Sequence, residues 1–422
     1  KRESAKSGLD PIQFGLKGKT MDKYTATHQM RLIQERAEVD PALAEAVVAY
    51  TRLCTDRGVE PVFFAKEEAE QAIIEAPFFQ QAFLARNSHL GAQVLAFYTA
   101  YGQELARRRV PILFSAEDLA FRLGISMRQL NWLSYAKKGR YRPLERSKAN
   151  GKVRILHAPN SKLKTVQRWI TSKILLKQKP HPYATAYYPG STLAQGASPH
   201  VGRKVVIRMD LKDFFPSITY AQVRRVFSSF GYSYKVASAL SSLCCLDGKL
   251  VQGAPSSPAL SNLLALNIDR RITGLKKHLQ STDQKFFYSR YADDLIFSFD
   301  DENLVGTLPL MRQIIREEGF EVNEDKLRIM RSGRQQTVTG VVVNQKLNVN
   351  AAECRRLRAV LHNIRNHGWD TEMQRWQSRM NTRVKDQAHF RQILEGRIAF
   401  VRSLNPEKGG KLLDSLKAIR IS

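Results

Sequence analysis

Apolar and polar positions follow different periods in different parts of this 422-residue chain. Between residues 39 and 110 the period is helical. Ala42-Leu-Ala-Glu-Ala-Val-Val-Ala-Tyr50 and Glu68-Ala-Glu-Gln-Ala-Ile-Ile-Glu-Ala76 join strong helix formers to apolar stripes, and Phe63, Phe64, Phe78, Phe79, Phe83 and Tyr98 supply rings for a small core. Residues 1–38 are polar and basic with little periodicity, and are expected to be flexible. Ser115-Ala-Glu-Asp118 is a capping-box variant that opens a helix. Gly124 then marks a turn and Ser126 a second N-cap, a spacing that fits both a DNA-binding helix-turn-helix and an ordinary αα-hairpin. Around residue 205 the pattern changes to short apolar runs of strand length. From residue 351 onward it is helical again.

Two of the apolar runs end on acids. Val205-Val-Ile-Arg-Met209 leads into Asp210, and Arg290-Tyr-Ala-Asp-Asp-Leu-Ile-Phe-Ser298 sets Asp293 and Asp294 side by side among strand formers. Successive side chains of a strand point to opposite faces, so the adjacent pair can serve one ion only where the chain turns sharply between them. A hairpin tip meets that need. If the two strands are neighbours, Asp210 and Asp293 converge at their ends. An Asp-Asp pair alone is more often an ordinary turn; here a small-residue loop, Gln252-Gly-Ala-Pro-Ser-Ser-Pro258, lies between the acids and enters a helix at Pro258.

Charge strengthens this reading. Lys and Arg number 67 against 39 Asp and Glu, a net charge of +28, which favours a polyanionic partner, with nucleic acid ahead of an acidic membrane surface. The excess persists past residue 351, where basic residues outnumber acidic ones by fifteen to seven, as suits a surface that tracks a phosphate backbone. Carboxylates in such a chain are suited to holding two Mg²⁺ ions against a polyphosphate, one activating a hydroxyl nucleophile and one stabilising the leaving oxygen. No apolar run reaches membrane-spanning length and the start lacks a signal-peptide core, so a cytoplasmic protein is expected. Cys54, Cys244, Cys245 and Cys354 have no zinc-like spacing, and reduced buried thiols are expected.

Asp210-Leu-Lys-Asp-Phe-Phe-Pro-Ser-Ile218, the Gln-Gly-Ala-Pro-x-Ser-Pro loop and Tyr291-Ala-Asp-Asp294 resemble, in order, the palm motifs of reverse transcriptases. Gly151-Lys-Val-Arg-Ile-Leu-His-Ala-Pro159 with Leu163-Lys-x-x-Gln-Arg168 is similar to their fingers region, and Gly319-Phe-Glu-Val-Asn323-x-x-Lys326 to a later palm motif. Two further features resemble bacterial retron enzymes. Gly196-Ala-Ser-Pro-His200 is similar to an Asn-Ala-x-x-His signature, with Gly in the Asn position, and Val338-Thr339-Gly340 is similar to the retron Val-Thr-Gly triplet.

The resemblance covers roughly residues 111–420 and implies a right-hand polymerase with an antiparallel palm sheet, which with the N-terminal helical extension read from periodicity makes the chain α+β. Its divisions are 1–38 flexible, 39–110 helical extension, 111–204 fingers, 205–344 palm and 345–422 helical thumb. It implies Asp210, Asp293 and Asp294 as catalytic metal ligands, Asp294 being the weaker ligand or an electrostatic support. Lys152, Arg154, Phe215, Gln252, Gly253 and Lys326 are implied for the incoming dNTP. Within that set, Phe215 would exclude a ribose 2′-hydroxyl while Phe214 faces the core, and Lys326 is either a proton donor to pyrophosphate or a surface lysine. His200, Val338, Thr339 and Gly340 are implied in RNA recognition. The function implied is copying of a cognate structured noncoding RNA into branched RNA–DNA (msDNA) from an RNA 2′-hydroxyl, in antiphage defence with an effector protein. A polymerase core following directly favours the ordinary αα-hairpin at 115–133. A group II intron-like enzyme is the nearest alternative, although little chain follows the thumb for its extra domains, and a noncatalytic nucleic-acid-binding protein is the alternative of another class. No second acidic cluster suggests a ribonuclease domain, so template removal would need another enzyme.

Overall fold

In the computed structural model, residues 92–147, 153–280, 285–380 and 383–419 are described. Most of the 39–110 extension, the segment 1–38, Cys54 and Lys152 lie outside the described residues. The chain divides into two compact units, one holding residues up to Ala106 with Leu113–Asn131, the other Arg107–Ile112 with Trp132–Ser422.

In the first unit lie α1 (Ala92–Arg107) and α2 (Ala116–Arg122), and α3 (Met127–Tyr135) begins there. The expected capping box is present, with Ser115 Oγ accepting from the Asp118 N–H and the Asp118 carboxylate accepting from the Ser115 N–H. Gly124 turns the chain at φ 63°, and Ser126 caps the next helix by accepting from the Gln129 N–H at 3.2 Å. Small side chains with an accessible oxygen satisfy helix-end donors that the helix itself cannot.

The second unit begins with a hairpin of β1 (Tyr141–Ser147) and β2 (Val153–Pro159), followed by α4 (Ser161–Lys173). After the short α5 (Leu193–Ala197) comes β3 (Val205–Asp210), then one helical turn α6 (Phe214–Ser217), α7 (Tyr220–Ser229), α8 (Tyr234–Cys244) and a ribbon of β4 (Cys245–Leu246) and β5 (Lys249–Leu250). Next are α9 (Ser257–Leu264), α10 (Leu266–Gln280), β6 (Phe286–Tyr291), β7 (Asp294–Phe299), α11 (Leu308–Glu317) and β8 (Arg328–Arg331). Strands β6, β7, β3 and β8 pair in that order, every neighbour antiparallel, so the fold is mixed helix and sheet with an antiparallel central sheet, as expected.

The apolar runs explain the position of this sheet. Val205, Val206, Ile207, Leu295, Ile296, Phe297, Phe286 and Tyr288 are almost wholly buried, because the sheet is covered on both faces. Strands buried on both sides need continuous apolar runs, whereas one wet face would have produced alternation. A second sheet, β9 (Thr337–Val338), β10 (Val341–Val342) and β11 (Asn348–Val349), follows. It was not foreseen, since two-residue strands are too short to show a period of two. The chain then forms α12 (Ala351–Met380), broken at Gly368 with φ 79°, α13 (Gln387–Leu404) and α14 (Pro406–Lys417). Their apolar stripes join one core around Leu357, Trp376, Phe390, Leu394 and Val401. Gly409 allows α14 to cross α13, because a Cβ there would meet the Arg402 backbone. Cys244, Cys245 and Cys354 are free and buried, as expected of reduced thiols. Among the described residues no helix is long and apolar enough to cross a membrane.

Candidate active site

Strands β6 and β7 form the expected hairpin, Tyr291 pairing with Asp294 and only Ala292 and Asp293 left at its tip. Ala292 has φ 57°, a left-handed conformation at the first tip position where the tightest hairpin turns favour glycine. Strand β3 lies beside β7 with Asp210 directly opposite Asp294, and the Leu211 N–H donates to the Asp293 carbonyl at 2.9 Å. The two acid-ending runs are therefore neighbours, and Asp210 and Asp293 meet at one end of the sheet. Burial raises the Asp293 carboxyl above its ordinary value, and the nearby Asp210 and Asp294 charges add to the rise. A backbone hydrogen bond and Lys326 act against it.

Cations surround this acidic end. Lys326 Nζ lies 2.6 Å from Asp210 Oδ1, with Asn323 Nδ2 at 3.4 Å from the same oxygen, and the Asn323 N–H fixes the Asp210 carbonyl at 2.8 Å. Asp294 is held differently. Arg208 Nε and Nη2 donate to its two carboxylate oxygens, each at 2.9 Å, in the parallel fork that guanidinium and carboxylate geometry match. Burial still raises the Asp294 carboxyl despite that partner. Arg208 is two residues before Asp210 on β3, hence on the same face, which is a sequence signal that was available and not used.

Among the described residues no three His, Cys, Asp or Glu side chains gather as a metal site. The donor set nonetheless fits a hard cation, because Mg²⁺ keeps several waters and is typically held by one or two carboxylates with substrate phosphates. Asp210 and Asp293 would provide that pair, while Asp294 stands in the Arg208 fork.

Phe214 and Phe215 do not alternate along a strand, because β3 ends at Asp210 and residues 214–217 form a helical turn. Phe214 is buried, as expected, and Phe215 is half-buried with its ring 6.5 Å from that of Tyr187. Tyr187 was missed by sequence reasoning. It is exposed over about two fifths of its surface, has φ 62°, and its ring is also 6.5 Å from Tyr291; partial desolvation followed by the Asp293 charge pushes its phenol up to about 12. The Arg154 cation pulls that phenol the other way, so Arg154 of β2 faces the same space. The only advance signal for this residue was the turn-forming Pro189-Gly190 just after it.

The small-residue loop has a structural reason as well. Gly253 has φ 113°, and a Cβ there would come within 3.0 Å of the His157 carbonyl, while the His157 N–H donates to the Gln252 carbonyl at 2.8 Å. Glycine is thus needed where the loop passes the backbone of β2. A cavity of about 370 Å³ opens beside it, lined by Tyr187, Tyr188, Pro255, Pro258 and Tyr291.

The residues expected to recognise RNA are corrected in part. His200 is wholly buried, with Nδ1 2.7 Å from Ser298 Oγ and Nε2 2.8 Å from Ser289 Oγ, so no RNA can touch its ring. Burial, with Arg203 and Lys276 nearby, lowers its pKa to about 3. Val338 is also buried. Thr339 is half-buried at φ 47°, with its hydroxyl enclosed and unbonded, and Gly340 is exposed. Gly196 stands where a Cβ would lie 2.6 Å from Thr185 Oγ1, so a larger residue there would have to displace that side chain.

Comparison with known proteins agrees with this geometry. A family model described as reverse transcriptase (RNA-dependent DNA polymerase) matches residues 137–343. The chain is 39% identical over 337 residues to the retron Mx65 reverse transcriptase of Myxococcus xanthus, with 73% of each chain covered. It is 33% identical over 259 residues to the retron Ec86 reverse transcriptase of Escherichia coli, covering 60% of this chain and 79% of that one. Against the retron Mx162 reverse transcriptase of Myxococcus xanthus the identity is 31% over 376 residues, covering 78% and 73%. The group II intron-like and noncatalytic alternatives are set aside. With two strand-end carboxylates meeting at a hairpin tip and relatives of this extent, the chain belongs to the retron reverse transcriptases, and it is an RNA-directed DNA polymerase.

Proposed function

We propose that the chain copies a cognate structured noncoding RNA into DNA, starting from a 2′-hydroxyl of that RNA, so that the product is a branched RNA–DNA molecule. The observation that carries the chemistry is the meeting of Asp210 and Asp293 at the tip of the β6–β7 hairpin, beside Lys326. Two Mg²⁺ ions held there would supply a charge clamp on the attacking and leaving oxygens. Asp210 and Asp293 would hold them, and Arg208 would keep Asp294 as an anionic support behind that pair.

Other residues take roles around the carboxylates. Lys326, paired with Asp210, would neutralise that carboxylate before substrate arrives and give a proton to the departing pyrophosphate. Arg154 belongs to the hairpin that would cover the triphosphate, where a guanidinium fork suits phosphate oxygens, and Lys152 would add a second cation for the same phosphates. Phe215, with Tyr187 beside it, would close the space at the sugar C2′ against a ribose hydroxyl. Gln252 and Gly253 would lie under the new base pair. In this reading residues 111–204 are fingers, 205–344 palm and 345–422 thumb, and the thumb's basic excess would follow the phosphate backbone of the template and its cDNA. Identity with retron enzymes supports a place in antiphage defence with an effector protein.

The test is to purify the protein with its bound nucleic acid and to sequence both strands and their junction. The proposal expects DNA joined to RNA through a 2′–5′ linkage, which a debranching enzyme cuts. DNA ending in a free 5′ terminus would refute 2′-hydroxyl priming.

A further inference from the structure

Two residues flanking the carboxylates carry side chains on a left-handed backbone. Ala292 stands at the hairpin tip with φ 57° and Tyr187 against Tyr291 and Phe215 with φ 62°, conformations that non-glycine residues enter only when their surroundings enforce them. One buried guanidinium holds the first directly and the segment of the second through a neighbour. Arg290 Nε and Nη2 donate to the two oxygens of Asp269 at 2.8 and 2.7 Å. Its Nη1 donates to Asn262 Oδ1 at 3.0 Å and to the carbonyl of Ala292 at 3.2 Å, and Nη2 also reaches the Asn262 carbonyl at 3.4 Å. Five N–H groups meet five acceptors.

Asn262 extends the reach. Its Nδ2 donates to the carbonyl of Ala186 at 2.7 Å, the residue before Tyr187. The backbone of Arg290 holds the same segment, its N–H donating to the Tyr183 carbonyl and its carbonyl accepting from the Thr185 N–H at 2.8 Å. Arg290 and Asp269 are both wholly buried, and Tyr288 Oη closes the remaining side of the pair by donating to Asp269 Oδ1 at 2.7 Å.

We propose that Arg290 is a positioning residue for nucleotide addition, which through Asp269 and Asn262 fixes Ala292 and Tyr187 and thereby aims the Asp293 carboxylate and the Tyr187 ring. The inference rests on the reading of Asp293 as a metal-holding carboxylate. A buried ion pair contributes little net stability, because desolvating two charges offsets their attraction, so stability is a weak account of this arrangement. Its geometry is the distinctive property. A lysine would keep the charge but lacks the planar fork, and its three donors cannot meet the five acceptors that Asp269, Asn262 and Ala292 present.

The experiment measures single-nucleotide addition by the full chain on an RNA template with an annealed DNA primer. Arg290→Lys retains a cation against Asp269 and loses the fork, while Asn262→Ala leaves the ion pair and cuts the relay to Ala186. Each is expected to lower kcat at least tenfold per folded molecule, with KM for the dNTP changed less than threefold. Ser241→Ala removes a buried hydroxyl bond on α8 away from the site and is expected to leave kcat alone. If Arg290→Lys fails to fold, Asn262→Ala decides the matter. Asp293→Asn is assayed alongside. Unchanged kcat in Asn262→Ala beside an inactive Asp293→Asn overturns the inference alone, as does a loss in Asn262→Ala that Ser241→Ala matches. Full activity in Asp293→Asn overturns the metal-site reading and the inference with it.

Discussion

The central sheet holds two polar clusters under opposite conditions. On β6 and β7, away from their tip, His200 sits between Ser289 and Ser298 with both ring nitrogens bonded and no exposure. At the tip of the same two strands, Asp293 and Asp294 are crowded against Asp210, and burial raises both carboxyls despite the surrounding cations. A satisfied buried group fixes a structure, whereas an unrelieved conflict between like charges is a place prepared for something else. Both clusters are motif positions of one family. The geometry separates them.

Removing the tip carboxylates should have the largest consequence. Asp293→Ala and Asp210→Ala are each expected to lower primer extension by about 10³-fold or more, since a displaced cation forfeits several kcal/mol of charge stabilisation. A filter-binding titration should show RNA affinity retained. The His200 cluster should behave in the reverse manner. His200→Ala leaves two buried hydroxyls without a partner and a void, at a cost of about 3 kcal/mol in a urea titration. Its activity should fall equally on the native RNA and on a generic primed template, and a loss confined to the native RNA would restore a recognition role.

The same histidine predicts a pH dependence. His200 remains neutral in the fold down to about pH 3, while in the unfolded chain it takes up a proton below its ordinary value of 6.5. Its contribution to stability is therefore fully present above pH 6.5 and is lost as the pH falls from there towards 3. Between pH 7 and pH 5 the wild type should lose about 2 kcal/mol more than His200→Gln, measured by urea unfolding of both proteins at both pH values. An identical loss in the two would mean that the ring is already charged. The smallest effect belongs to Asp294. Because Arg208 holds both its oxygens, Asp294→Asn should reduce extension only about tenfold. A loss as deep as that of Asp293→Ala would place Asp294 among the metal-holding carboxylates.

What could be read in advance depended on how local the cause was. The hairpin tip was legible, because adjacent carboxylates inside apolar strand runs allow few arrangements, and so were the Ser115 and Ser126 caps, whose partners lie three residues away. The burial of His200 was not, since its partners lie 89 and 98 residues along the chain and ordinary serines give no sign of such pairing. Tyr187 was hidden for a related reason, its left-handed backbone being imposed by the segment around it rather than by its own preference. The small-residue loop around Gly253 was legible, but its close approach to the β2 backbone was not, since no spacing in the sequence identifies that neighbour.

The most direct test is a single-turnover assay on an RNA template with an annealed DNA primer, comparing wild type, Asp293→Asn and His200→Gln at equal folded concentration. The account predicts template-directed DNA extension by the wild type and by His200→Gln, and none by Asp293→Asn although it binds the same primed template. Extension by Asp293→Asn at the wild-type rate would contradict it.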